Sequence, residues 1–579
     1  MTSTRVTPNC IQLPVDLVGS SSYGRYSKVS AAKTFNMFIS SSGPVGENPP
    51  EQWMINFPGY RRILNLLPYP DPYPNPPLYP DQVPVGEGRG IFLSIRGNFA
   101  VVVVNSVVYT LSPTLTQTTI GSINTSSGEV YIAENLNNQI CIVDGIDAWI
   151  YNYSLPAPNL VKQTDGPLGT GALIPGYVEY HNTYFLFGNA NFTIQNPFWY
   201  AFQFNSATGA SAIVEVPNGA GRFDFTTKAD YPLAVKRVPG RSANVIVFGT
   251  SVCEIWTNTG GPGKQNYTKN VSIGINYGCQ SVATIAEGGD LLAWLGINQD
   301  ESPAIMTYDG NEIKSISTDG IEFVLGELYA PETSTAILFR QDGHLVYQLT
   351  FYDPRDNMTL VYDFDTELFF NLSNQSMDFH PARNYIYFNL KTYFISLRNA
   401  SLYELSSTIT VYDENLPVTS STSPYNPSLV YEIPHRRVVS NIRQANSTRF
   451  VANSLVVTLE QGCDDNYTGI SNIDYLITED IFINPDDPII TEQGQPLISE
   501  TSSSGSSVIS YVPRIDLRIS KDGGVTWSNF VSRTLHPLGH RQNILHWEGM
   551  GVANDLTLEF QFHQTNRLIV NQAVLDIII

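Results

Sequence analysis

Apolar and polar positions alternate in short runs along most of this chain. From about residue 86 to 410, stretches of roughly four to eight mostly apolar residues are separated by small polar turn formers, the spacing of strands rather than helices. "GIFLSIRGNFAVVVVNSVVYTL" (90–111) reads as three strands joined at Arg-Gly-Asn and at Asn105–Ser106. "NQICIVDGIDAWIYNYS" (138–154) is two strands around Asp144–Gly145. The same form returns in "NVIVFGTSVCEIWTN" (244–258), "DLLAWLGINQDESPAIMTYDGNEIKSIS" (290–317), "HLVYQLTFYDPRDNMTLVYDFDTELFFNL" (344–372) and "YFISLRNASLYELS" (393–406). Asn-Ser, Asp-Gly and Gly-Asn pairs between strands favour tight hairpins, because these residues tolerate left-handed backbone.

The units recur at roughly 40–50 residues, the length of a four-stranded propeller blade. The pattern predicts an all-β protein with a degenerate β-propeller of about six blades over residues 86–410. Residues 1–85 read as an N-terminal segment of strands and loops, including "EQWMINF" (51–57). That segment ends in "LLPYPDPYPNPPLYPDQVP" (66–84), where dense proline forces extended backbone and forbids a sheet interior. It reads as a stiff connector or as a recognition segment for another subunit. From 411 to 579 a second β region predicts a sandwich-like platform domain, to which N-terminal strands are candidate contributors. "NSLVVTLEQG" (453–462) alternates like a half-exposed strand, and 484–507 reads as an exposed insertion. No segment has the pattern of a long amphipathic helix.

Composition agrees with this picture. Hydrophobic residues make up 42% of 579, enough for large cores, and Tyr (32) and Phe (28) accompany many Gly (43) and Pro (37). The net charge of −21 argues against a clamp on the DNA backbone, which needs an excess of cations. An acidic wall that lets DNA pass without sticking stays open beside plain solubility. Five widely spaced cysteines, with no C-x-x-C pair, predict neither a disulfide framework nor a zinc site. The N-terminus lacks the basic start and apolar core of a secretory signal, and "FAVVVVNSVVYTL" (99–111) is too short and broken to span a bilayer as a helix. A reducing compartment of synthesis is expected.

Candidate chemistry is sparse. No phosphate-loop or dinucleotide pattern occurs; "NTGGPGKQNY" (258–267), with Lys264, lacks the spacing. His536 and His540 stand four apart, but Pro537 and Gly539 break the helix that would align them, and His546 follows nearby. Asp464 and Asp465 lack the spaced oxygen donors of a calcium loop. Cys253 and Cys279 sit in apolar strand contexts and read as core thiols. "SKDGGVTW" (520–527) fits the Asp-box pattern through Ser520, Asp522, Gly524, Thr526 and Trp527. That box is shared with sialidases, so a propeller glycosidase or glycan-binding tail protein is the alternative reading. It requires paired carboxylates flanking a cleft and a repeated box; here the box occurs once, outside the propeller region. A stable hairpin turn, in which Asp522 accepts turn amides, accounts for the pattern without catalysis. No catalytic residue, metal site or cofactor is expected.

Residues 245–296 resemble one family. A strand carrying Glu254 and Trp256 leads to Asn258–Gly260, then to Gly274, Gly278, Ser281–Val282 and a strand ending at Trp294–Gly296. "MTYDGNEIKSIST", "NFPGY" and the closing "RISKDGGVTWSNF…HRQNILHWEGMG" are similar to the same family in order. It is the tail hub, or nozzle, family of short-tailed bacteriophages, also called packaged-DNA stabilisation proteins. The resemblance covers most of 30–410 and 510–579; the proline run, the 484–507 insertion and "NMFISSSG" depart from it. The family resemblance implies a non-enzymatic virion protein, made in the host cytoplasm and built into the tail. It implies a homo-oligomeric ring, a hexamer, below the portal and its adaptor, with tail fibres or a needle as further partners. Such a ring lengthens the channel, holds packaged DNA and passes double-stranded DNA at ejection without reading its sequence.

Overall fold

The computed structural model describes residues 10–24, 32–41, 51–66, 86–193, 197–204, 213–214, 221–260, 266–271, 274–415, 429–444, 448–461, 513–535, 542–563 and 568–578. Seven antiparallel sheets of four or more strands follow one another around a common axis, so the chain is an all-β propeller. Blade 1 consists of Gly88–Ser94, Phe99–Val104, Val107–Leu111 and Gln117–Ser122. Blades 2 to 6 span 131–162, 175–224, 234–269, 286–315 and 334–372, and blade 7 begins at 382. In each blade the first strand lies innermost, and these inner strands pack side by side around the axis. The apolar run 99–111 forms two strands about Asn105, as its composition predicts.

The hairpins form where the backbone can turn left-handed cheaply. All seven turns between the first and second strands of a blade hold such a residue: Asn98, Asn138, Asn182, Gly240, Gly289, Asp342 and Asn389, with φ between 46° and 67°. Asn, Asp and Gly enter this region at the least cost. Because every blade is the same meander, these seven turns share one face of the propeller. That face is called the turn face below.

The ring closes with a strand from far away in sequence. Blade 7 takes Ala382–Phe388, Lys391–Ser396 and Ser401–Ser406 from the end of the propeller segment. Its outer strand is Gly59–Asn65, paired antiparallel to Ser401–Ser406. The count is therefore seven blades rather than about six. The last one escapes a reading of 86–410 because a quarter of it lies before the proline run, at 67–85 outside the described residues.

The platform is a sandwich of two sheets. One contains Met37–Ser41, Gln52–Asn56, Leu568–Ile578, Phe450–Gln461 and Gln542–Ala553, with Cys10–Val15 beside Leu568–Ile578. The other contains Lys33–Phe35, His435–Val438, Asp555–His563, Arg514–Ser520 and Val531–Thr534, and is continuous with blade 6. The join is a parallel pairing at Phe35 and Asn371, which makes one ten-stranded sheet. A second join extends blade 7 by Val411–Asp413, parallel to Gly59–Asn65, and then Val430–Glu432. One core runs through both parts: Phe370 and Leu372 of blade 6 and Tyr60 and Tyr403 of blade 7 cluster with Leu455, Trp547, Phe560 and Leu575 of the platform. Among the described residues, no hinge of exposed linker separates propeller from platform along these joins.

Candidate functional site

The residues singled out from the sequence fall in three places. The first is blade 4. Glu254, almost fully buried, accepts five hydrogen bonds: from the Thr226 and Thr227 amides (3.0 and 2.7 Å), the Thr227 hydroxyl (2.5 Å), Lys269 Nζ (2.7 Å) and Trp256 Nε1 (2.9 Å). One carboxylate thus ties three segments of the blade together, and Lys269 neutralises its charge. Trp256 packs edge-on to Trp199, with ring centroids 5.6 Å apart. The Asn258 side chain accepts from the Gly260 amide at 2.8 Å, and Gly260 takes φ of 68° in the turn. Gly278 faces the 249–251 backbone so closely that a Cβ would lie 2.3 Å from the Ser251 nitrogen. Gly274 meets open space. Apart from Gly274, these residues tie blade 4 to the segments that flank it.

A residue with no sequence signal does similar work. Asp230, buried, accepts from the amides of Tyr231, Thr250, Ser251 and Val252 and from the hydroxyls of Thr250 and Ser251. Its main partners lie twenty or more residues along the chain, so no local pattern marks it. Asp144 holds the amides of Ile146 and Asp147, and Asp309 those of Asn311 and Glu312. Part of the acidic composition is spent on turns rather than displayed as a wall.

The Asp-box lies in the platform, directly after Arg514–Ser520. Ser520 Oγ donates to Asp522 (2.7 Å) and accepts from the Gly524 amide (2.8 Å). Asp522 accepts from the Val525 and Thr526 amides and, at 2.6 Å, from the Thr526 hydroxyl. These donors, the Thr526 hydroxyl first, hold its carboxyl far below the usual range. Gly523 and Gly524 take φ of 74° and 92°, and Trp527 Nε1 donates to the Gly524 carbonyl. Arg518 stacks on Trp527 and bridges to Glu559 at 2.7 Å. Every group of the box is engaged inside one turn.

A cavity of about 640 Å³ lies on the propeller axis, lined by the inner strands. Glu179 of blade 3 and Glu287 of blade 5 clamp Lys236 and Arg237 of blade 4, with nitrogen–oxygen distances of 2.6 to 3.4 Å. Burial lowers the affinity of Lys236 for its proton, but the facing Glu179 and Glu287 outweigh it and raise its pKa. Burial pushes Tyr177 up to about 12. At the opposite end from the turn face, fully buried Arg383 lies 2.8 Å from Glu87, out of line for a hydrogen bond. Glu129 beside it has a buried oxygen without a partner, and burial pushes its carboxyl up to about 7.

Metal-type ligands gather once among the described residues, at His344, Asp363 and Asp365 of blade 6. Their atoms are already engaged: Asp363 accepts from His344, the Thr366 hydroxyl and the Asp365 amide, and Asp365 from the Leu345 amide. Cys253 and Cys279 are buried thiols donating to the carbonyls of Tyr277 and Ser281, and burial pushes Cys279 up to about 12. Lys264, Asp464, Asp465, His536, His540 and the insertion 484–507 lie outside the described residues, and His546 is exposed on a platform strand.

Residues 228–410, which are blades 4 to 7 without the closing strand, match the family model described as Phage_stabilise, bacteriophage P22 Gp10, beta-propeller. That match spans about a third of the chain, so blades 4 to 7 are similar to a phage structural family. Glu254, Trp256, Asn258, Gly260, Gly274 and Gly278 lie within the matched residues, in blade 4 and the segment that follows it. No curated protein matches the chain in sequence. Among solved structures, a streptogramin B lyase is similar at 11% identity over 56% of this chain and 95% of its own, with a TM-score of 0.35. The catalytically inactive virginiamycin B lyase from Staphylococcus aureus with quinupristin is similar at 10% over 57% and 97%, with a TM-score of 0.37. Neither likeness bears on function at that similarity.

Proposed function

We propose that this protein is a tail hub and forms the nozzle of a short-tailed phage: a homo-oligomeric ring, a hexamer, fixed below the portal and adaptor. The ring extends the DNA channel, retains the packaged genome and conducts it at ejection, without enzymatic activity. The observation that carries this reading is the family match over blades 4 to 7. The joined sheets support it, since a protein under the pressure of packaged DNA gains from a propeller and platform that move as one block.

The propeller axis itself is no conduit. Spread along an inner strand of seven residues, roughly 23 Å long, a cavity of about 640 Å³ has a mean cross-section of about 28 Å². A duplex is roughly 20 Å across and needs some ten times that area. In this reading the DNA channel lies between subunits, and each propeller stands beside it. Negative-stain imaging of the purified protein, alone and with portal and adaptor, tests the proposal. Rings with an axial opening of roughly 20 Å or more are expected; a strictly monomeric particle under virion-like conditions overturns it.

A further inference from the structure

The turn face carries a patch that the tail-hub reading does not use. Ile95, Leu136, Tyr387 and Leu390 are 82%, 61%, 63% and 83% exposed. All four lie at or beside the inner hairpin turns of blades 7, 1 and 2, which are neighbours in the ring. Adjacent turns touch: Asn389 Nδ2 donates to the Pro113 carbonyl of blade 1, and Arg96 reaches Asn138 of blade 2. Contiguous exposed apolar side chains on a soluble surface mark an interaction site. Leu390 strengthens the case. It holds φ of 63° at the second position of its turn, where blade 6 places Gly343. An exposed leucine in left-handed backbone is strained and gains nothing from burial within this fold.

We infer that the patch is the docking surface for residues 462–512 of the same chain, which lie outside the described residues. Three observations select this occupant. Its chemistry is complementary: the segment holds nine Asp or Glu, no Lys, Arg or His, and nine Ile. The patch offers apolar side chains around Arg96, whose guanidinium makes no ion pair among the described residues. The segment is also rooted on the correct side. Gln461 pairs with Leu568, one residue beyond the Ile55–Ile569 pair, and the next residue, Asn56, lines a small pocket together with Asp342. Asp342 is the inner hairpin turn of blade 6, adjacent to blade 7, where the patch begins. Finally, the length suffices. Fifty-one residues anchored at Gln461 and Pro513 reach out roughly 80 Å at full extension and return.

The test is site-specific photo-crosslinking in the full-length protein. A benzophenone amino acid replaces Ile95, Leu136 or Leu390, one at a time, and the products are mapped by mass spectrometry. Crosslinks to peptides within 462–512 are expected, reduced severalfold by Arg96→Glu and by high salt. The exposed Arg96→Glu and Leu390→Asn variants should fold normally, and Leu390→Asn should raise thermal stability while weakening the crosslink from position 95. Crosslinks that map elsewhere, or none from all three positions, overturn the proposal. A mixture of isotopically heavy and light protein decides the source: heavy–heavy and light–light pairs support docking within one chain, and mixed pairs overturn it.

Discussion

Propeller and platform are both β structure, yet they are built on opposite principles. In blades 1 to 6 nearly every strand pairs with its neighbour in sequence; in blade 3 Arg222–Asp224 instead pairs with Phe198–Phe204. In the platform, neighbours in space come from residues 10–56, 430–461 and 514–578. The most extensive pairings join Phe450–Gln461 to Gln542–Ala553 and to Leu568–Ile578, and Cys10–Val15 pairs with Leu568–Ile578 from the other end of the chain. Local pairing pays little loop-closure entropy, so a blade can form early and alone. Platform pairing is worth making only when most of the protein is already in place. The propeller is thus locally specified and the platform globally specified, and the two shared sheets make them cooperate.

The largest effect should come from Arg437→Ala. Arg437 is fully buried and donates to the carbonyls of Asp16, Leu17 and Ser20 and to Thr34 Oγ1, fastening the N-terminal strands to the platform. Its loss orphans several buried acceptors, at a cost of about 3–5 kcal/mol. Calorimetry should show the platform melting first, with the propeller transition retained; a single unshifted transition contradicts the division drawn above.

Glu254→Ala attacks the locally specified half. It leaves the amides of Thr226 and Thr227, the Trp256 indole and Lys269 without their acceptor, for a loss of about 2–4 kcal/mol. Hydrogen exchange should rise in blade 4 and its neighbours while the platform stays protected. Equal deprotection of the platform would mean that the two halves are one folding unit throughout.

Glu129→Gln gives a smaller, pH-dependent change. The folded carboxyl titrates at about 7, above the unfolded value near 4.3. Between these values the folded state binds the extra proton, so stability falls as pH rises, and the cost is complete above pH 7. The Gln variant should be more stable than the parent by about 1–3 kcal/mol at pH 8 and similar at pH 4, measured by urea denaturation. The same gain at both pH values would show that the effect is not titration.

Asp522→Ala should have the smallest effect. It removes the acceptor of an exposed turn, so a slight fall in melting temperature, or weaker ring assembly, is expected without any change in catalytic activity. A hydrolase activity that disappears in this variant would restore the glycosidase reading.

Much of the propeller was legible in the sequence, and for a physical reason. Asn105–Ser106, Asp144–Gly145 and the strands on either side of them state their hairpins locally, because turn chemistry and strand period act within a few residues. The Asp-box was legible as a turn for the same cause. The pinning role of Glu254 was not, since its donors reach it only when the 226–227 loop and Tyr267–Lys269 arrive beside it. Asp230 gave no signal at all.

Sequence by itself determined that this chain would be β throughout, where most hairpins turn, and which family its middle resembles. Only the tertiary structure decided that the ring has seven blades, closed by Gly59–Asn65, and that Lys33–Phe35 welds blade 6 to the platform. A strand's period and turns are properties of a few adjacent residues. Its partner is chosen by burial and by the edge left free, and those exist only once the rest of the chain has folded.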